Sequence, residues 1–320
     1  MTTVLVSAPY LIPITERIRP FLESYGITLL IAPVVERLNE AALLELAGQF
    51  DGALCGDDQF TARVLEACAP RLKVISKWGT GIDSIDQNAA ARLGIMIGRT
   101  PNAFTLPVAD AVFGYMIEFC RRLSTMDRAM KAGVWEKIPG KALSECTLGV
   151  VGVGTIGKAV LRRGRAFGMR LMGNDIVEIA PDFVRETELE VAPLEQLLKQ
   201  SDFVSMHTDL NPTSFHLINR RTLACMPPHA YLINTARGPV IEEPALIEAL
   251  QSEAIAGAAL DVFEVEPLPK DSPLLGMENV LLAPHNANSS PAAWQRVHRN
   301  TLRNLLIGLG LPPPEEFPVF

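Results

Sequence analysis

"VVGVGTIGKAVLRRGRAFGMRLMGND", residues 150–175, says more about the architecture than any other stretch of the chain. A β-branched run leads into Gly152, Gly154 and Gly157, spaced as G-x-G-x-x-G, and "KAVLRRGRAFG" leaves the turn with helical character and stops at Gly168. Strand, glycine turn, helix and a second strand, "RLMGND", form the context in which that spacing signals a dinucleotide site. Gly152 permits the sharp turn, Gly154 lets the backbone approach a pyrophosphate, and Gly157 lets helix and strand pack closely. The helix N-terminus, at Thr155 and Ile156, offers N–H groups and a positive dipole end to the anion. Asp175 stands eighteen positions past the third glycine, where an acid accepts hydrogen bonds from ribose hydroxyls. A carboxylate there repels a 2′-phosphate, and Ile176 and Val177 follow in place of an arginine, so the expected cofactor is NAD and not NADP. The bland alternative is a glycine-rich turn with a chance aspartate.

The same alternation of strands and helices extends in both directions. Upstream, "TVLVSAP", "ITLLIAP", "DGALCG", "LKVISKWG" and "GIMIGR" read as strands bounded by Gly, Pro or Asp. Between them "NEAALLELAGQ" and "TARVLEACAP" read as helices with Asn39 and Thr61 as N-caps. Downstream, "FVSMHT", "AYLINTA", "AGAALDV" and "VLLAP" continue the pattern, and a last helix runs from Pro291 to Leu309 before the stiff tail "LPPPEEFP". Such alternation implies parallel sheets covered by helices on both faces. A long helical stretch from Pro107 to about Lys137 is apolar around most of its circumference, through Val108, Ala111, Val112, Tyr115, Ile117 and Phe119. It suits either an interdomain or subunit interface, or the core of one domain.

At 320 residues the chain exceeds one ordinary core, so two domains are expected. Its 48% hydrophobic and 20% charged residues describe a globular protein with much to bury. A net charge of −7 without a dense Lys/Arg run argues against nucleic acid as partner. Cys55, Cys68, Cys120, Cys146 and Cys225 are scattered, with no C-x-x-C. They fit reduced thiols of a cytoplasmic protein better than a disulfide framework or a zinc site, and no metal is expected. The N-terminus has no basic region ahead of its short apolar run, so it reads as a strand and not a signal peptide. No apolar stretch approaches the ~18 residues that span a bilayer. "NSS" at Asn288 is formally a glycosylation acceptor, without weight in the absence of a secretion signal.

Reactive residues gather where strands end. "SMHTDLNPT" offers His207 and Asp209, "LINTARGP" offers Thr235, Ala236 and Arg237, "AALDVFEVEPL" offers Asp261, Glu264 and Glu266, and "LLAPHNANSS" offers His285. In an open α/β sheet, ligands bind beyond the carboxyl ends of the strands.

Taken in order, "KWGTGIDSID", "GVGTIG" with its Asp175, "NTARGPVIEEPAL", "ALDVFEVEPL" and "APHNAN" make the chain resemble the D-isomer-specific 2-hydroxyacid dehydrogenases, which include phosphoglycerate, glycerate and D-lactate dehydrogenases. The resemblance covers nearly the whole chain. It implies two doubly wound parallel-sheet domains of the α/β class, a Rossmann cofactor domain (101–287) inserted into a flavodoxin-like substrate domain (1–100 plus 288–320). It also implies a homodimer built on an arm near 107–146. By motif, Arg237 holds the substrate carboxylate and polarises its carbonyl, His285 gives a proton to the carbonyl oxygen as hydride arrives from NADH, and Glu266 pairs with His285. Gly79, Thr80 and Gly81 grip the substrate carboxylate through their amides, and Asp261 orients the nicotinamide. His207, Thr235 and Ala236 line the cofactor.

Physical chemistry agrees with these roles. Reducing a 2-oxo acid builds negative charge on oxygen, which a fixed cation and an acid titrating near neutrality both favour. A carboxylate beside an imidazole favours its charged form, and the planar arginine fork matches both carboxylate oxygens. Plainer readings exist for each residue singly: Arg237 as a surface ion-pair partner, Glu266 as a turn residue before Pro267, Gly79–Gly81 as a structural turn. His216, His229 and His298 read as ordinary surface or core residues.

The pattern departs from the family in places. Asn286, Ala287 and Asn288 follow the histidine where an apolar residue, alanine and glycine are usual, and Asn288 is expected to take a left-handed, glycine-like backbone. Asp209 stands where a proline is common. In "LCGDDQFT", Asp57 and Asp58 occupy a loop in which phosphoglycerate dehydrogenases carry an arginine, leaving a phosphate only Lys77 or Arg99; nothing resembles a C-terminal regulatory domain. Glutamate at 266, not glutamine, argues against formate dehydrogenase. The expectation is an NAD-dependent 2-hydroxyacid dehydrogenase acting on a small 2-oxo acid, with phosphoglycerate- or glycerate-type substrates included. The rival is an NAD(H)-sensing, corepressor-like binding protein on the same fold.

Overall fold

Parallel pairing runs through both sheets of the computed structural model, which describes residues 2–318. The chain divides into two compact units, Met1–Ala103 with Ser289–Phe320, and Phe104–Asn288.

In the first unit β1 (Thr2–Val6), β2 (Ile27–Ile31), β3 (Gly52–Cys55), β4 (Val74–Lys77) and β5 (Met96–Gly98) lie in the order β2-β1-β3-β4-β5. That is the flavodoxin-like order, with its switch point between β1 and β3. All four residues of β3 and of β4 are buried, as befits strands covered on both faces. The N-caps form as the sequence predicts: Asn39 accepts from the Ala42 amide at 2.9 Å and Thr61 from the Val64 amide at 3.4 Å. The closing helix, Pro291–Gly308, returns to this sheet with Val297, Leu302, Leu305 and Leu306 fully buried. Gly308 is its last residue, and a methyl group there would overlap the Val74 side chain. Gly310, at φ +73°, makes the stop.

In the second unit β6 (Thr147–Val151), β7 (Arg170–Asn174), β8 (Glu190–Val191), β9 (Phe203–Met206), β10 (Tyr231–Asn234), β11 (Gly257–Leu260) and β12 (Val280–Leu282) lie in the order β12-β11-β10-β9-β6-β7-β8. Counted from β6, this is the doubly wound dinucleotide-binding order with one further strand at the β12 edge. The two-residue β8 is too short to show a period in sequence.

The expected helix from Pro107 to Lys137 is two helices, Thr105–Arg121 and Leu123–Lys131, broken at Arg122 in left-handed conformation (φ +47°). The first buries Val108, Val112, Phe113 and Met116, and Phe113 stacks on Phe167. The second buries nothing, and Leu123, Met130, Val134 and Trp135 stand exposed, Trp135 at 84%. The apolar circumference read from sequence therefore splits into a core half and an uncovered half. Among the described residues, no helix is long and apolar enough to cross a membrane, and the five cysteines are free thiols.

Candidate active site

The glycine turn leaves β6 and enters the helix Thr155–Ala166. Gly152 has φ +90°, and a Cβ there would lie 2.6 Å from the carbonyl carbon of His207. A methyl on Gly157 would overlap the Gly152 carbonyl oxygen. These two glycines are demanded by the fold. Gly154 is different: nothing lies within 4 Å of a Cβ built on it, and no side chain caps the helix there. Its missing side chain serves an approach from outside, as a pyrophosphate cradle requires. Asp175 follows β7 and accepts from the Val153 amide at 2.6 Å and the Val177 amide at 3.0 Å. The acid at the expected place thus also braces the turn. Next door, buried hydroxyls of Thr208 and Thr235, at the ends of β9 and β10, have no hydrogen-bond partner among the described residues. An unsatisfied buried hydroxyl is costly without a ligand or water, so the turn, Asp175 and these threonines fit a bound dinucleotide. His207 presents its backbone to Gly152, while its ring lies 2.8 Å from Ser205 Oγ. Burial pushes that imidazole down to about 3, so it stays neutral.

Arg237, Glu266 and His285 follow three neighbouring parallel strands, β10, β11 and β12. The segment after β10 is ordered by Asn234, buried to 1%, whose side chain accepts from the Ala236 amide at 3.0 Å and donates to the Arg237 carbonyl at 2.9 Å. Arg237 Nη1 also donates to the Ala236 carbonyl at 2.8 Å. Gly238 comes next, pressed so closely on Phe263 that a methyl group would overlap the Phe263 carbonyl. The Arg237 turn and the loop after β11 are therefore in backbone contact. In that loop the Phe263 amide donates to Glu266 Oε1 at 3.0 Å, which leaves Glu266 Oε2 3.2 Å from His285 Nδ1. Both side chains are mostly buried, at 20% and 14% exposure for histidine and glutamate.

His285 is held from below by Asp261. The His285 amide donates to the Asp261 carbonyl at 2.8 Å. Asp261 Oδ1 accepts from Asn286 N at 2.7 Å, and Oδ2 from Ala287 N at 3.0 Å. Burial raises the Asp261 carboxyl, opposed by those two amides and by the positive charge of His285. Its carboxylate serves the 285–287 turn, a positioning duty that sequence alone does not display. Pulling two successive amides inward forces the chain to bend one residue earlier. Asn288 was expected to supply the left-handed residue; it is His285 that takes φ +52°. A non-glycine residue held there stores of order 1–3 kcal/mol, as is common at functional sites.

Several of these parts are invisible to motif reading. Gly238 belongs to "TARGP" but its reason lies in Phe263; Thr208 carries no signal; and Tyr115, whose phenol is raised by burial and by the charge of Asp261, sits on a helix read only for its apolar residues. In the first unit, Thr80 Oγ1 donates to the Thr100 carbonyl at 2.8 Å and the Gly79 carbonyl accepts the Thr100 amide at 2.7 Å, so the 79–81 turn is firmly tied. Lys77, 3% exposed, lies 3.0 Å from Asp57 and is spent on that pair. His298 is a core residue, accepting from Trp78 Nε1 at 2.9 Å, while His229 is exposed 3.5 Å from Asp202.

Residues 113–287 match the family model for the D-isomer specific 2-hydroxyacid dehydrogenase, NAD binding domain. A glyoxylate reductase of Korarchaeum cryptofilum is 41% identical over 255 residues, covering 78% of this chain and 76% of that protein. A D-3-phosphoglycerate dehydrogenase of Methanocaldococcus jannaschii is 38% identical over 81% of this chain but only 50% of its own length. Among solved structures, D-lactate dehydrogenase of Aquifex aeolicus complexed with NAD and lactic acid superposes with TM-score 0.84 at 26% identity, covering 97% of this chain and 96% of that one. The chain belongs to the D-isomer-specific 2-hydroxyacid dehydrogenase family. It is an oxidoreductase with NAD as its cofactor.

Proposed function

We propose that the protein reduces a small 2-oxo acid to the D-2-hydroxy acid, with His285 as acid, Glu266 as its partner and Arg237 as the carboxylate-binding group. The supporting observation is the 3.2 Å approach of His285 Nδ1 to Glu266 Oε2 at the carboxyl edge of the sheet that carries the glycine turn. NADH, when bound, supplies the hydride equivalent. Thr155, Ile156 and the Gly154 backbone would hold its pyrophosphate and Asp175 its ribose, with the unpartnered hydroxyls of Thr208 and Thr235 and the backbone at Ala236 available to the rest.

Arg237 binds the substrate carboxylate through its planar fork and fixes the carbonyl beside it. His285 delivers its proton from Nε2 to the carbonyl oxygen, because Nδ1 is turned to Glu266. Glu266 stabilises the imidazolium that must wait for substrate and holds the ring's orientation. Asp261 sets the backbone from which His285 projects. In the first unit, the tied turn Gly79–Gly81 is the candidate anion cradle.

For the substrate, glyoxylate or another 2-oxo acid with a small uncharged side chain is favoured over a phosphorylated one. Relatives named glyoxylate reductase support it, as does the Asp57–Lys77 pair, which engages the lysine of that loop with an acid. The exposed apolar strip Leu123, Met130, Val134 and Trp135 is proposed as the homodimer arm.

The test is a panel of glyoxylate, pyruvate, hydroxypyruvate and phosphohydroxypyruvate with NADH, following loss of reduced nicotinamide absorbance. The highest kcat/KM is expected on an unphosphorylated acid. Preference for the phosphorylated acid would refute the substrate reading, and tight NADH binding without turnover on any acid would instead support a sensor.

A further inference from the structure

His216 and Glu264 lie outside every role assigned so far, yet they join the two segments that carry the proposed chemistry. We infer that they form a positioning pair that keeps the Arg237 turn and the Glu266 loop in register; this rests on the reading of His285 and Glu266 given above.

His216 sits in the connection between β9 and β10, in left-handed conformation at φ +48°. A β-carbon-bearing residue adopts that backbone at a cost, and it persists where the surroundings over-determine it. Here they do. The His216 amide donates to the Pro239 carbonyl at 2.9 Å, and the His216 carbonyl accepts from Asn219 Nδ2 at 2.9 Å. The ring stacks on Phe215 with centroids 4.0 Å apart, and its Nε2 lies 2.7 Å from Glu264 Oε1. One residue is thus fastened by its backbone two residues beyond Arg237 and by its side chain two residues before Glu266.

The far end is equally constrained. The Glu264 amide donates to Glu243 Oε2 at 3.2 Å, and Glu264 Oε1 accepts from the Glu243 amide at 3.3 Å. Glu243 opens the helix Glu243–Gln251, and burial raises its carboxyl, with the nearby Glu264 charge acting the same way. Two carboxylates in one half-buried corner repel each other, and the His216 ring, with Nε2 2.7 Å from Glu264 Oε1, fixes one of them by a hydrogen bond. Gly238 leaves no slack, since even a methyl group would collide with Phe263. The Phe263 amide in turn holds Glu266 Oε1. Any shift of the 263–264 backbone therefore moves the carboxylate that faces His285. Glu266 and Asp261 are among the charged groups that bear on His285, while His216 faces Glu264, which Glu243 contacts in turn.

The experiment compares the pH dependence of kcat/KM for 2-oxo acid reduction in wild type, His216→Asn, Glu264→Gln and Glu266→Gln, with NADH affinity and thermal midpoint measured on each. Asparagine tolerates the left-handed backbone but is too short to reach Glu264, so His216→Asn removes the ring's contacts with Glu264 and Phe215 and keeps the backbone ones, while Glu264→Gln leaves the Phe215 stack in place. Glu266→Gln is expected to move the high-pH limb, where the acid loses its proton, to lower pH. His216→Asn and Glu264→Gln are expected to move it the same way by a smaller amount and to lower kcat about tenfold, a barrier change of about 1.4 kcal/mol, with NADH affinity within a factor of two. Should His216→Asn fail to fold, Glu264→Gln examines the pair from its other side. A lowered thermal midpoint with a profile superimposed on wild type would make the pair merely structural and overturn the inference. An unmoved limb in Glu266→Gln would instead overturn the underlying assignment of His285 and Glu266, and the positioning role with it.

Discussion

Replacing Gly154 by alanine separates what the glycine turn does for the fold from what it does for a ligand. A Cβ built on Gly154 meets nothing within 4 Å, and the backbone there (φ −74°, ψ −156°) suits any residue. The remaining effect on folding is loss of a favoured N-cap type, about 1 kcal/mol or less. Binding should suffer far more. A methyl group occupies the space through which a pyrophosphate approaches the helix N-terminus, and each charge-assisted hydrogen bond lengthened or lost there is worth about 1.5–3 kcal/mol. At about 1.4 kcal/mol per tenfold, NADH affinity should fall by roughly ten- to a hundredfold. Gly157→Ala is the contrast, because its methyl overlaps the Gly152 carbonyl oxygen and should damage stability as well as binding. Calorimetric or fluorescence titration with NADH, beside thermal unfolding of the protein without cofactor, measures both quantities. Wild-type affinity in Gly154→Ala would refute the assignment of this turn to a pyrophosphate.

Further expectations concern stability, the site and assembly. Burial lowers His298 to about 4 while its unfolded value stays near 6.5, so the stability it contributes is present above pH 6.5 and is lost as pH falls towards 4, about 3 kcal/mol in all. Asp58, raised to about 6 by burial, acts with the opposite sign, destabilising as pH rises from about 4 to 6. His298→Gln should therefore flatten the acid loss, and Asp58→Asn should remove the opposing change, in denaturant melts followed by the fluorescence of Trp78 and Trp294; parallel pH curves for wild type and both variants would refute this. Gly238→Ala should force the Phe263 carbonyl away, destabilise by about 1–3 kcal/mol and lower kcat with little change in NADH affinity; unchanged kcat would show the Arg237–Glu266 coupling to be slack. Trp135→Glu should convert a dimer to a monomer in light scattering, and an unaltered mass would exclude this strip as the arm.

The legible parts of this molecule are those whose cause is local. Strand and helix alternation, the caps at Asn39 and Thr61, and the glycine turn all follow from residues within a few positions of one another. The arrangement of a Rossmann unit inserted into a flavodoxin-like one was reachable only through the family resemblance that the ordered motifs carry. What sequence withheld depends on contacts across long separations. The break at Arg122 leaves no composition signal, since arginine is a good helix former. Asn288 looked like the left-handed residue by chemistry, but Asp261, over twenty positions away, draws in the amides of Asn286 and Ala287 and places the bend at His285. Lys77 looked like a free cation in sequence and is paired with Asp57. Asp261 itself illustrates the limit: its motif points to a ligand-facing acid, whereas its hydrogen bonds here run to the turn that carries His285.

Single-turnover oxidation of bound NADH by glyoxylate, in wild type and in His285→Asn, tests the central claim most directly. Loss of a general acid should slow the step by about 10²–10⁴-fold while NADH affinity stays within a factor of two. A variant that keeps its rate within a few-fold of wild type would show that the proton comes from elsewhere and that the histidine beside Glu266 is not the acid.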